Sequence, residues 1–150
     1  MSLRRVLSTL TFVIAGTLTL SAQSNSAFEG KWVFNAGKSI FSPGPFPQSE
    51  TLTFENGVVT VDGLSSQGQP FHMTWTPSAG KPVPVAGAPD KALTVETSEN
   101  GETIVHMWSD HSGTSYGEGR ISEDGKTMRY VLIGTRFGNH VYEVSVFDKQ

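Results

Sequence analysis

From Phe28 onward, apolar and polar residues alternate with a period of two, the spacing that sends successive side chains to opposite faces of a strand. Phe28, Gly30, Trp32 and Phe34 share one face over residues 27–35. Leu52 and Phe54 alternate with Thr51, Thr53 and Glu55; Asn56-Gly57 is a strong hairpin signal, and residues 58–62 return. Phe71, Met73 and Trp75 then stand opposite His72, Thr74 and Thr76. Beyond Pro89 the chain reads as a meander of strands over 92–97, 103–109, 114–121, 127–135 and 140–147. Their turns fall at Asn100-Gly101, Ser112-Gly113, Asp124-Gly125 and Phe137-Gly138-Asn139.

No stretch after residue 22 keeps a helical period without a breaker. The pattern predicts an all-β domain over residues 28–150, with about 8–9 antiparallel strands in up-and-down order. A closed barrel is favoured over a sandwich because it removes exposed strand edges. A Greek-key sandwich would also need a long return connection, which only the two proline-rich segments could provide.

All eight prolines lie between Pro43 and Pro89. In residues 37–49, Pro43, Pro45 and Pro47 alternate with Gly44 and Phe46, which predicts an extended loop across the outside or the mouth of the fold, without ladder pairing. Pro82, Pro84 and Pro89 mark a second such connection around Val83 and Val85. Either could dock a partner as an extended ligand, although a rigid connector needs no function.

Residues 1–22 have the layout of an export signal: Arg4 and Arg5, an apolar run over 6–20, then Ser21-Ala22 as a small-residue exit. The run is diluted by serine, threonine and glycine and falls short of the roughly 20 apolar residues of a spanning helix. Polar residues 23–27 read as a disordered lead-in. The expected product is therefore exported, periplasmic or extracellular, with no stable membrane insertion after cleavage. The chain has no cysteine, so neither a disulfide nor a cysteine-linked lipid is available. Losing Arg4 and Arg5 would leave nine basic against fourteen acidic residues. That balance disfavours nucleic acid as a partner, because phosphate binding needs clustered Lys and Arg.

Gly30-x-Trp32 resembles the first strand of a lipocalin. The longer set Gly30-x-Trp32-x-x-Asn35, Lys38-Ser39-x-Phe41-Ser42-Pro43-Gly44-Pro45 and Ser49-Glu50-Thr51 is similar to a group of small exported bacterial proteins of lipocalin-like type. The resemblance implies an up-and-down barrel in which Gly30 and Trp32 plug one end. Arg136 would then stand where that family packs an arginine on the tryptophan. The Asp and Tyr of the second lipocalin motif have no clear counterpart.

Candidate chemistry is sparse. Met73, Trp75, His106, Trp108, Tyr116 and Tyr130 sit mid-strand and combine wide apolar faces with polar tips, a lining suited to a small hydrophobic ligand. The alternative is that these side chains fill the core, leaving a barrel that acts through its surface as an envelope or secreted interaction module. Alternation alone leaves open whether Ile104, His106 and Trp108, or Val105 and Met107, point inward. His72, His106, His111 and His140 lack metal-ligand spacing, and no cofactor motif is present. There is no nucleophile elbow, and Glu96, Glu102, Glu118 and Glu143 are expected to face outward or flank turns, so a non-catalytic role is favoured over an enzyme. Gly117-Glu118-Gly119, inside a strand pattern, predicts a bend or bulge rather than a phosphate loop.

Overall fold

The computed structural model describes residues 26–150. The predicted export signal lies outside them, while Ser26 and Ala27, the end of the predicted lead-in, form a turn. In it the Ser26 carbonyl accepts from the Glu29 N–H at 3.0 Å and the Ser26 hydroxyl from the Phe28 N–H at 3.1 Å.

Eleven strands follow: β1 (Gly30–Phe34), β2 (Ile40–Ser42), β3 (Ser49–Glu55), β4 (Val58–Leu64), β5 (Pro70–Trp75), β6 (Val83–Pro84), β7 (Thr94–Asn100), β8 (Thr103–Asp110), β9 (Gly113–Ile121), β10 (Thr127–Arg136) and β11 (Asn139–Lys149). All pairings are antiparallel, in the order β5-β4-β3-β1-β11-β10-β9-β8-β7-β6. The fold is therefore the all-β, up-and-down barrel that the alternation predicts.

Two differences from expectation lie in the proline-rich segments. Residues 37–49 do pair in part: after a turn of 3-10 helix, Ala36–Lys38, β2 rejoins β11 with Phe41 opposite Glu143. The expected exclusion from the ladder holds only from Pro43 to Gln48, where the prolines cluster. The second segment is a closing stave rather than a plain connector. Val83 and Pro84 pair with β7, and Ala86 exchanges two backbone hydrogen bonds with Thr74 of β5, at 2.9 and 3.0 Å, across the seam. Gly87 is required there, since a Cβ on it would overlap the His72 carbonyl oxygen.

The barrel has two unlike ends. At one, where the hairpins β3–β4, β7–β8 and β9–β10 turn, Phe28, Trp32, Phe54, Ile104, Met128 and Phe147 form a packed core. Trp32 is fully buried, and its indole N–H donates to the Phe28 carbonyl at 2.7 Å. The cation over its ring is Lys149, with Nζ 4.8 Å from the centroid. Arg136 does not take that role. It ends β10 opposite Asn139, nine residues along the strand from Thr127, whose partner Asp148 adjoins Lys149. At a rise near 3.3 Å per residue, that is roughly 30 Å away.

Candidate functional site

Above this core the inward face changes character. On β9 the inward positions above Ile121 are Ser115, Gly117 and Gly119, so this part of the stave contributes almost no volume to the interior. The ladders through Gly117 and Gly119 run unbroken on both sides, to His106 and Ile104 on β8 and to Leu132 and Tyr130 on β10. The predicted bend or bulge is therefore absent. These glycines instead make room: a Cβ on Gly117 would overlap the Tyr130 hydroxyl, and one on Gly119 would come within 2.8 Å of Ile104. The Tyr130 ring lies in the space they leave.

The result is an interior cavity of about 290 Å³, whose lining includes Leu52, Met73, Trp75, His106, Trp108 and Tyr130 above a floor of Phe54, Ile104, Met128 and Phe147. Such a volume is at the low end of small-molecule sites, and about ten times a water's share of the liquid. The interior is thus not filled, contrary to the alternative expectation. Barrel size is part of the reason. About eight strands leave an interior just wide enough for side chains, whereas ten positions plus two inward glycines leave a void.

Of the six predicted lining residues, five face the cavity. Trp75 packs edge-to-face on His106 and Trp108, with ring centroids 5.8 and 5.2 Å apart. The Trp108 indole N–H donates to the Tyr130 hydroxyl at 2.9 Å, and His106 Nδ1 meets the same oxygen at 3.2 Å. The sixth, Tyr116, points outward and is 37% exposed, its hydroxyl donating to Glu118 at 3.2 Å. It pairs across strands with Met107 and Ile133, and Ile133 with Tyr142, in an outward row. Sharing a strand with Gly117 and Gly119, Tyr116 has the opposite parity. Register therefore resolves β8 as well: Ile104, His106 and Trp108 point in, Met107 out.

The polar end of the cavity was missed by the sequence reading. Glu50 and Glu143 both line it, with Arg136 between the cavity and the mouth. Glu143 was expected to face outward; it follows the inward parity of Ser145 and Phe147. Glu50 shares the face of Leu52 and Phe54, a signal present in the alternation. Burial, and then the charge of Glu143, push the Glu50 carboxyl up to about 7. Burial also raises Glu143, against the pull of Arg136. Burial lowers His106 to about 4, so its imidazole is neutral, and raises the Tyr130 hydroxyl. Both shifts follow from the cost of taking a charged form out of water.

From Glu50, Arg136 and Glu143 the cavity continues into a mouth of about 490 Å³ bounded by Pro89, Asp90, Ser112 and Phe137. Asp90 ties this rim together, accepting from the His111 backbone N–H at 3.0 Å and meeting His111 Nδ1 at 2.9 Å. A separate hollow of about 320 Å³ lies at the plugged end, between the hairpins. Among the described residues, no three His, Asp or Glu side chains gather as metal ligands.

No family model matches the chain, and no curated protein matches it in sequence. Among solved structures, the fold is similar to that of the fluorescent protein UnaG, with a TM-score of 0.54 and 14% identity over 82% of this chain and 97% of that one. A single-site mutant of UnaG gives the same score and identity, over 83% and 96% of the two chains. At that identity the likeness is one of fold.

Proposed function

We propose that this chain is an exported, non-catalytic barrel that binds a small, mostly apolar ligand in its interior. The cavity of about 290 Å³, walled by Trp75, Trp108 and Met73 and continuing past Glu50, Arg136 and Glu143 into the mouth, carries this reading. Burying an apolar ligand there is favourable by about 25 cal/mol per Å² removed from water, and the rings supply a rigid lining. Export rests on the signal-like residues 1–22 and on the resemblance across residues 30–51 to small exported lipocalin-like proteins.

Bound aromatic ligands should quench the fluorescence of Trp75 and Trp108 and raise Tm, because binding to the folded state alone stabilises it. Neutral, cationic and anionic bicyclic aromatics form a suitable panel. An absence of both quenching and thermal shift across all three classes would remove the reading. One observation favours a second role: a carboxyl raised to about 7 beside another carboxyl is also the setting of a general acid. Turnover that Glu50→Gln abolishes would move the protein to that class.

A further inference from the structure

We propose that the buried end of the cavity receives a neutral carbonyl-type oxygen of the ligand, held by the Nε1–H of Trp75 and the Nε2–H of His106. The inference deepens the ligand-binding reading and rests on it. Three buried side-chain polar atoms have no hydrogen-bond partner among the described residues, and two of them, Trp75 Nε1 and His106 Nε2, are on residues that line this cavity. Each residue is only 4% exposed. Buried polar groups are nearly always paired, and an unpaired one costs about 1–3 kcal/mol, so two in one apolar cavity point to a partner that arrives with the ligand.

Hydrogen-bond bookkeeping sets the polarity of that partner. An indole N–H only donates, so Trp108 donates to the Tyr130 oxygen. Tyr130 then has one proton of its own to place, and the group waiting at 3.2 Å is His106 Nδ1. All three are satisfied only if Nδ1 is bare and accepts. A neutral imidazole carries one N–H, which must therefore be on Nε2. Trp75 Nε1 is a donor by its chemistry. The two rings are neighbours, edge-to-face with centroids 5.8 Å apart, and one oxygen with two lone pairs could take both donors.

A carboxylate is the wrong acceptor. The same cavity holds Glu50 and Glu143, and the one cationic side chain lining it, Arg136, is exposed at the mouth, where its charge acts on Glu143 without a direct ion pair. An anion would be desolvated without a paired charge, which costs far more than a neutral carbonyl loses. The recognised class is an apolar body carrying a ketone, ester, amide or lactam oxygen.

Three naphthalenes of one ring size test this: 2-acetylnaphthalene, 2-ethylnaphthalene and 2-naphthoate. The ketone should bind the wild-type protein roughly tenfold tighter than the hydrocarbon, with the naphthoate weakest. Its ¹³C-labelled carbonyl band should move to lower wavenumber on binding. Trp75→Phe should remove much of the ketone's advantage while leaving the hydrocarbon's affinity in place, which shows that the cavity is intact. Nitrogen NMR of ¹⁵N-histidine-labelled wild type, which needs no variant, should show His106 protonated on Nε2 and bare on Nδ1. Equal affinity for ketone and hydrocarbon, tightest binding of the naphthoate, or an Nδ1–H tautomer would each overturn the carbonyl assignment while leaving the cavity a binding site. If none of the three binds, the ligand-binding reading falls, and this inference with it.

Discussion

Two tryptophans are buried inside the barrel, and their surroundings differ in one decisive respect. Trp32 is packed among Phe28, Phe54 and Phe147, and its N–H is satisfied by a backbone carbonyl four residues away. Trp75 is nearly as buried, but its N–H has no partner among the described residues and its neighbours His106 and Trp108 border a cavity. The same side chain thus fills the packed core in one case and lines the cavity in the other. What separates the two is the volume supplied by facing staves. Phenylalanines meet Trp32, whereas Ser115, Gly117 and Gly119 stand across the cavity half.

The contrast is most sharply tested by substitution at the two indoles. Trp32→Ala should cost about 3–5 kcal/mol in denaturant unfolding, from lost transfer energy plus an uncollapsed void. Trp75→Phe should stay within about 1 kcal/mol of wild type, because the lost packing is offset by removing an unpaired donor. Similar losses at both sites would mean that the two ends are equally packed.

Next in size is a pH effect confined to the cavity end. Glu50 has its folded pKa raised from 4.5 to about 7, so the folded state holds a proton that the unfolded state has released, and stability falls as pH rises through that window. His106 has its folded pKa lowered from 6.5 to about 4, so its contribution runs the other way and stability rises between about pH 4 and 6.5. The two oppose each other in wild type. Glu50→Gln removes the first, so the stability of the variant minus that of wild type should grow by about 3 kcal/mol from pH 4.5 to 7. A difference independent of pH would place the Glu50 carboxyl in water rather than in the cavity.

Gly117→Ala should cost less than Trp32→Ala, about 1–3 kcal/mol of overpacking, because the displaced atoms are the far end of the Tyr130 ring. Its specific mark is loss of the Tyr130 hydrogen bonds to Trp108 and His106, seen as a change in the His106 imidazole nitrogen shifts. An unchanged Tm and unchanged shifts would show that the tyrosine does not use the glycine's space.

The two ends also differ in how legible they were. The packed end was visible around Gly30-Lys31-Trp32 because local alternation puts Phe28, Trp32 and Phe34 on one face. Its cation was not. Arg136 was chosen from the motif, whereas Lys149 reaches Trp32 through the pairing of the first and last long strands, 117 positions apart in the chain. At the cavity end, the aromatic residues were found and Tyr116 was misplaced, since an aromatic residue satisfies a strand pattern on either face. Glu50 and Glu143 were overlooked because charged residues in strands are outward by default, and only a void with a mouth makes an inward carboxylate tolerable.

By itself the sequence determined the all-β class, most strand positions, and the meander order, because period-two alternation and Asn-Gly or Asp-Gly turns act over a few residues. Tertiary structure decided which face of β8 points in, that a proline-rich segment closes the seam through Ala86, and that the interior stays open. Those outcomes depend on what each stave meets across the barrel. Gly117 and Gly119 look like breakers along the chain, yet opposite Tyr130 and His106 they are the space from which the site is made.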